Sequence, residues 1–268
     1  MYNTDARTLQ RMAPLMQRVL IIDPAPAGAR LLSDLLRDIS PCQVWTAPDA
    51  PRGYALANQV NPHIIFVEQN AAMDGAAFTR KLRRSELNCR KAPVIMVTSE
   101  ATAATILGAR DAGVHEFLRK PYTAKDLMRR LEAVTLRTRD WVEAVNYVGP
   151  DRRRFNSGDY TGPLKRGMDA NETPEEGRIL QSLKILRAAI TAIDADPKQA
   201  LRAMLAQAME LQSAAIAIKD VRLKAAAVAL HQKLTAADGR TVRKEELQAY
   251  LAELWTFAPD DKKGAAAA

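Results

Sequence analysis

Asp23, Glu68, Thr98 and Lys120 are the side chains of this 268-residue sequence whose types and positions could do chemistry together. Three of them directly follow or end apolar runs: Val19-Leu20-Ile21-Ile22, Ile64-Ile65-Phe66-Val67 and Val94-Ile95-Met96-Val97. Lys120 follows the weaker run His115-Glu116-Phe117-Leu118. Two carboxylates, a hydroxyl and an ammonium can hold opposed charges and exchange hydrogen bonds. They lack the nucleophile, base and orienting group of acyl-transfer catalysis. The sequence offers no Ser/His/Asp arrangement, phosphate loop or metal-ligand spacing, so no enzyme, no cofactor and no metal is expected. Cys42 and Cys89 stand far apart without a CxxC or a histidine companion and read as ordinary reduced thiols.

The apolar quartets are rich in branched residues, which suits strands of a parallel sheet covered on both faces. Cys42-Gln43-Val44-Trp45 and His115-Glu116-Phe117-Leu118 supply a second and a fifth strand in chain order. Amphipathic stretches lie between them. Pro26 opens one, with Leu31, Leu32, Leu35, Leu36 and Ile39 as its apolar face, and Gly113 ends another that starts near Ala101. Five such βα units predict a flavodoxin-like α/β fold, a doubly wound parallel sheet with its functional groups at the carboxyl ends of the strands. A last helix begins after Thr123, and the spacing of Leu127, Leu131, Val134, Trp141 and Val145 predicts its extension to about residue 145.

Residues 1–17 read as an N-terminal helical arm and 18–145 as the α/β domain. A linker over 146–171 is rich in Gly, Pro, Asp and Arg and contains an internal repeat. Tyr147-Val-Gly149-Pro150-Asp-Arg152-Arg153 returns 13 residues later as Tyr160-Thr-Gly162-Pro163-Leu-Lys165-Arg166. Beyond it Ile179, Leu183, Leu186, Ile190 and Ile193 follow the spacing of a packing seam, and Asp196-Pro197 starts a second helix. Residues 172–258 are thus expected to form an all-α bundle for protein interaction, followed by a disordered tail at 259–268.

Residues 18–134 resemble the receiver domain of bacterial response regulators. The resemblance rests on VLIID at 19–23, PHIIFVE at 62–68, MDG at 73–75, PVIMVTS at 93–99 and GVHEFLRKP at 113–121, in that order. In that family an aspartate ending the third strand accepts a phosphoryl group, paired acids after the first strand help bind Mg²⁺, and a Thr or Ser and a Lys contact the phosphoryl oxygens. The resemblance therefore makes Asp23, Glu68, Thr98 and Lys120 a degenerate phosphoacceptor pocket and Phe117 the switch aromatic. Glu68 stands at the acceptor position, Pro24 replaces the second acid, and the loop Gln69-Asn70-Ala71-Ala72 is one residue short and lacks the family's proline. Thr98 and the Lys120-Pro121 dipeptide, of the kind that takes a cis bond, are retained.

The formal net charge of +8 would suit a nucleic-acid partner. It is spread along the chain, however, and residues 172–268 contribute only +1 of it, with no helix-turn-helix pattern. Two basic clusters stand out. Arg80, Lys81, Arg83, Arg84, Arg90 and Lys91 follow MDG, with Arg80, Arg83 and Arg84 expected on one solvated helix face. Arg152, Arg153, Arg154, Lys165 and Arg166 form a candidate anion-binding linker. RRRFNSG at 152–158 shares an arginine-led character with cyclic di-GMP motifs without matching them. His231 lacks the glycine context of a phosphotransfer histidine. There is no signal-peptide-like apolar core at the N-terminus and no run long enough for a membrane span.

Together these features predict a cytoplasmic bacterial two-component signalling protein. Its pseudo-receiver, not phosphorylated, acts by binding a histidine kinase, a phosphotransfer protein or another signalling regulator, and the chain is a candidate homodimer. Two alternatives stay open: a cyclic di-GMP or nucleic-acid effector working through the Arg152–Arg166 linker, and an unorthodox phosphorylated response regulator.

Overall fold

A computed structural model of the chain describes residues 6–137, 139–152, 173–236 and 242–258. It divides into two units: residues 1–142 with 147–160, and residues 143–146 with 161–268.

In the first unit β1 (Arg18–Ile22), β2 (Gln43–Ala47), β3 (Ile64–Glu68), β4 (Val94–Thr98) and β5 (Glu116–Arg119) form one parallel sheet in the order β2-β1-β3-β4-β5. Strand alternation sorts its core. Val19, Ile21, Ile64, Phe66, Ile95 and Val97 face α1 (Ala6–Met12), α2 (Pro26–Ile39) and α6 (Ala124–Leu136). Leu20, Ile22, Ile65, Val67, Val94 and Met96 face α3 (Ala50–Val60), α4 (Gly75–Arg83) and α5 (Ala103–Ala112). Burial on both faces explains why the quartets are apolar without alternation. The strand order reverses between β1 and β3, the place where an open α/β sheet leaves a crevice at its carboxyl ends.

The helix signals act as expected at several ends. Pro26 opens α2, Gly113 closes α5 at φ 89°, and Thr123 and Asp126 form a capping box at the start of α6. Leu31 is the exception on α2: it is 57% exposed, while Leu32 and Leu36 take the inward face.

Other boundaries move. The N-terminal segment is no separate arm, because Met12 and Met16 are fully buried in the core beside Leu127 and Leu131. The last helix does not extend to residue 145. It stops at Leu136, and Trp141 begins β6 (Trp141–Glu143), which pairs with β7 (Val148–Pro150). The aromatic and β-branched residues of 141–148 favour strands, and Arg139 is drawn away from a helical path to join Arg130 on the buried carboxylate of Glu116. The linker expected from residue 146 consequently starts as structure: Tyr147, Val148, Gly149 and Pro150 are buried. Residues 153–171 of that linker and the tail at 259–268 lie outside the described residues.

Arg83 also departs from expectation. It is 1% exposed, not on a solvated face. Its guanidinium donates to the carbonyls of Gly113, Arg90 and Ala92 and to Nδ1 of His115, at 2.6–3.1 Å. Burial pushes its pKa down to about 9, so it remains charged at neutral pH. The ring of Trp141 lies 5.3 Å from it.

The second unit holds α7 (Pro174–Thr191), α8 (Pro197–Ile218), α9 (Val221–Thr235) and α10 (Lys244–Trp255). Each helix packs on the next, and α10 also meets α7. Thr173, Asp196 and Asp220 cap the first three through their side-chain oxygens. Ile179, Leu183, Leu186 and Ile193 are buried as the seam predicts and Ile190 is half-buried; alanines 200, 203, 208, 214 and 215 of α8 are buried as well, and such small side chains allow helices a close approach.

Candidate functional site

The crevice is built from chain segments that leave the sheet at its carboxyl edge. After β1, the amide of Asp23 continues the ladder to the carbonyl of Ala47 at 3.0 Å. One oxygen of Asp23, Oδ1, then accepts the amide of Ala25 at 2.8 Å, which leaves Oδ2 to face the crevice. Glu68 is the last residue of β3 and is 3% exposed. Thr98 ends β4, fully buried, and its hydroxyl oxygen accepts the amide of Glu100. The amide of Lys120 donates to the carbonyl of Thr98 at 2.7 Å, and a cis bond joins Lys120 to Pro121.

These placements bring three of the four predicted side chains into one contact group. Nζ of Lys120 donates to Oε2 of Glu68 at 2.7 Å and to Oδ2 of Asp23 at 3.3 Å. One ammonium is thus shared by two acids. Burial raises the pKa of Glu68, and the nearby charge of Asp23 adds to this; the hydrogen bond and charge of Lys120 oppose both without reversing the direction. For Lys120, burial favours the neutral form but is outweighed by Glu68 and Asp23, so its ammonium is held above the usual range. Thr98 borders the group from β4. Phe117 is half-buried on β5 and packs with the core on the α3–α5 face.

The loop after β3 is well tied. Oδ1 of Asn70 accepts the amides of Ala72 and Met73, both at 2.9 Å. The side chain of Gln69 accepts the amide of Ala76, and Asp74 caps α4 through the amide of Ala77. These contacts fix the end of β3, and hence Glu68.

Two glycines, Gly75 of the MDG motif and Gly28, which sequence reasoning missed, make room for the acids. A Cβ on Gly28 would lie 2.8 Å from Oδ2 of Asp23, and one on Gly75 would lie 2.5 Å from the carbonyl of Glu68. A glycine in the first turn of α2, where it weakens a helix, was the available signal for Gly28. Tyr122, half-buried next to the group, carried no sequence signal; burial raises its pKa.

The donor set does not fit Mg²⁺. Pro24 supplies no side-chain oxygen, Oδ1 of Asp23 is held by a backbone amide, and the inward oxygens of Asp23 and Glu68 share the Lys120 ammonium. Among the described residues no group of three His, Cys, Asp or Glu side chains could hold a metal ion. What the arrangement can do is keep a fixed charge pattern at the edge of the crevice.

Of the candidate anion-binding linker, only Arg152 lies among the described residues. Its guanidinium stacks 4.3 Å from the ring of Tyr147 and pairs with Asp111 at 3.0 Å. Arg153, Arg154, Lys165 and Arg166 lie outside them. His231 is partly buried on α9. Among the described residues no helix is long and apolar enough to cross a membrane.

Comparison with known proteins concerns the first unit. The family described as Response regulator receiver domain matches residues 19–132. The chain is 30% identical to the probable chemotaxis protein CheY of Rhizobium etli over 118 residues, covering 44% of this chain and 91% of that protein. It is also 30% identical to the chemotaxis protein CheY of Pseudomonas aeruginosa, covering 94% of it. The DNA-binding dual master transcriptional regulator RpaA of Synechocystis is 32% identical over 124 residues, but the chain spans only 51% of its length. Among solved structures, Vibrio cholerae chemotaxis protein CheY4 aligns at 24% identity and a TM-score of 0.41, over 44% of this chain and 98% of that one. The helices α7–α10 lie outside the family match.

Proposed function

The chain belongs to the response regulator receiver family, and on that premise we propose that it is a pseudo-receiver, a two-component signalling protein that acts by binding without being phosphorylated. The observation that carries this reading is Lys120, whose ammonium already rests between Glu68 and Asp23. In a phosphorylatable receiver, a metal and a lysine together balance an incoming phosphoryl group of high negative charge. In this chain the lysine's charge is taken by two resident acids, and position 24 adds no ligand. The longer side chain of Glu68 reaches the ammonium directly, so the pocket carries a standing charge pair in place of a transient one.

On this reading the receiver unit presents one fixed surface, and α7–α10 supply a second binding module. The partners are a histidine kinase, a phosphotransfer protein or another regulator of a two-component pathway in the bacterial cytoplasm. The pathway needs no catalytic turnover by this chain. Nothing favours the effector reading through Arg152, whose guanidinium is engaged by Asp111 and Tyr147.

The test is to incubate the full chain with a small phosphodonor and Mg²⁺ and record its intact mass. The mass should stay unchanged. A stable phosphoryl adduct that disappears in Glu68→Ala would overturn the proposal.

A further inference from the structure

Residues 80–91 hold six basic side chains, Arg80, Lys81, Arg83, Arg84, Arg90 and Lys91, against one acid, Glu86. This short stretch therefore carries a net +5, the larger part of the chain's +8. Its place is set by α4. That helix starts on the crevice side, where Asp74 caps it, and runs back along the sheet to the amino edge. There Arg83 reaches the carbonyls of Ala92 and Gly113, ahead of β4 and β5. The cations thus gather away from Asp23, Glu68 and Lys120.

Elsewhere in the same unit several cations meet carboxylates. Arg110 and Arg152 share Asp111, Arg130 and Arg139 share Glu116, and Lys120 lies between two acids. Over 80–91 rings and carbonyls do much of the holding. Arg83, Arg90 and Lys91 lie 5.3, 6.0 and 5.7 Å from the centre of the Trp141 ring, and Lys81 lies 4.8 Å from that of Tyr54. Nε of Arg90 also donates to the carbonyl of Arg83 at 3.1 Å. A ring or a carbonyl fixes a cation in place without cancelling its charge, whereas a carboxylate does both. Arg80 and Arg84, exposed and one helical turn apart, add two like charges to one side of α4, an arrangement that by itself costs helix stability. Glu86 can offset one of these charges and leaves the rest.

We propose that the surface formed by Arg80, Lys81, Arg84, Arg90 and Lys91 docks an acidic segment of a partner protein. Arginine forks take carboxylates bidentately. A Glu-rich helix repeats its carboxylates at the i, i+4 spacing that separates Arg80 from Arg84. Nucleic acid suits the surface less well. Single strands bind by stacking bases on aromatic faces, and the rings of Trp141 and Tyr54 are already engaged by cations. The inference rests on the reading that the chain acts by binding, and not on whether the crevice takes a phosphoryl group.

Fluorescence anisotropy of a labelled oligoglutamate peptide with the full chain at low salt tests this, with single-stranded RNA and duplex DNA of equal charge as competitors. The chain should bind the peptide, and added salt should weaken the complex. Arg80→Gln combined with Lys91→Gln should weaken binding about tenfold. Lys125→Gln combined with Lys224→Gln removes the same charge from exposed positions elsewhere and should change binding less than about twofold. Arg80→Lys, which keeps the charge, should retain most of the affinity. No binding of the peptide, or equal losses in the two double variants, would overturn the proposal. So would a nucleic acid that displaces the peptide at lower concentration than unlabelled peptide does. Phosphoryl labelling of the crevice, which tests the pseudo-receiver reading, is read out by mass and leaves these outcomes separate.

Discussion

Lys120 and Glu68, 52 residues apart in the chain, meet at 2.7 Å across the carboxyl edge of the sheet. Their approach depends on β3 and β5 flanking β4, because that order puts the end of β3 and the residue after β5 on either side of Thr98. Asp23 completes the group from β1, so one cation serves acids from two adjacent strands.

Removing the cation should cost more than neutralising one acid. Lys120→Met leaves Glu68 and Asp23 facing each other and should destabilise the chain by about 2–4 kcal/mol at pH 7. Glu68→Gln keeps an acceptor for the ammonium and should cost about 1 kcal/mol. The folded-state pKa of Glu68 is raised, so its contribution is most favourable at low pH and falls as pH rises through that value. The deficit of Lys120→Met should accordingly shrink between pH 7 and pH 5. Urea unfolding of the three chains at both values checks the order and the trend.

Arg83 should be irreplaceable by lysine. Its fork reaches three carbonyls from two chain segments, a geometry that a single ammonium cannot reproduce. Arg83→Lys should cost about 2–4 kcal/mol, and Arg83→Met at least as much, because buried carbonyls lose their donors. By contrast, Arg80→Lys on exposed surface should change the unfolding midpoint little.

His115 should add a measurable acid sensitivity. Its Nδ1 accepts from both Arg83 and the amide of Val94, so the ring is neutral with its proton on Nε2. Burial first, then the charges of Arg83 and Arg139, lower its pKa well below the usual histidine value. A base held below its unfolded pKa costs the folded state as pH falls from about 6.5 toward the folded value. His115→Gln keeps an acceptor for Arg83 and cannot take up that proton. It should flatten the dependence of unfolding free energy on pH between 7 and 5 relative to the unaltered chain.

Gly113 should tolerate no side chain. It has φ 89°, and a Cβ would press on the carbonyl of Val148. Gly113→Ala should cost about 1–3 kcal/mol. Hydrogen exchange should show the loss first at residues 147–151, ahead of the sheet.

Much of this was legible in the residues. Continuous branched quartets mark strands buried on both faces, and their ends mark Asp23, Glu68, Thr98 and Lys120. The closeness of Lys120 to both acids was less accessible, since it depends on strand order and side-chain length together. The fate of Arg83 and Trp141 was hidden for another reason. Helical spacing puts Arg83 beside Arg80 and Arg84, but burial under residues 139–150 depends on a hairpin whose apolar spacing also fits a helix. Periodicity over so short a stretch cannot separate the two. Where the hairpin's first aromatic stacks on three cationic side chains, tertiary contact decides.

The claim that the crevice is permanently set is tested most directly by hydrogen exchange on the full chain, with and without Mg²⁺ and a phosphoryl mimic. The loops after β3, β4 and β5, residues 69–74, 99–102 and 120–123, are the ones to follow. The Lys120–Glu68 account predicts identical exchange in both conditions. New protection in those loops that depends on the mimic, and is lost in Glu68→Ala, would contradict it.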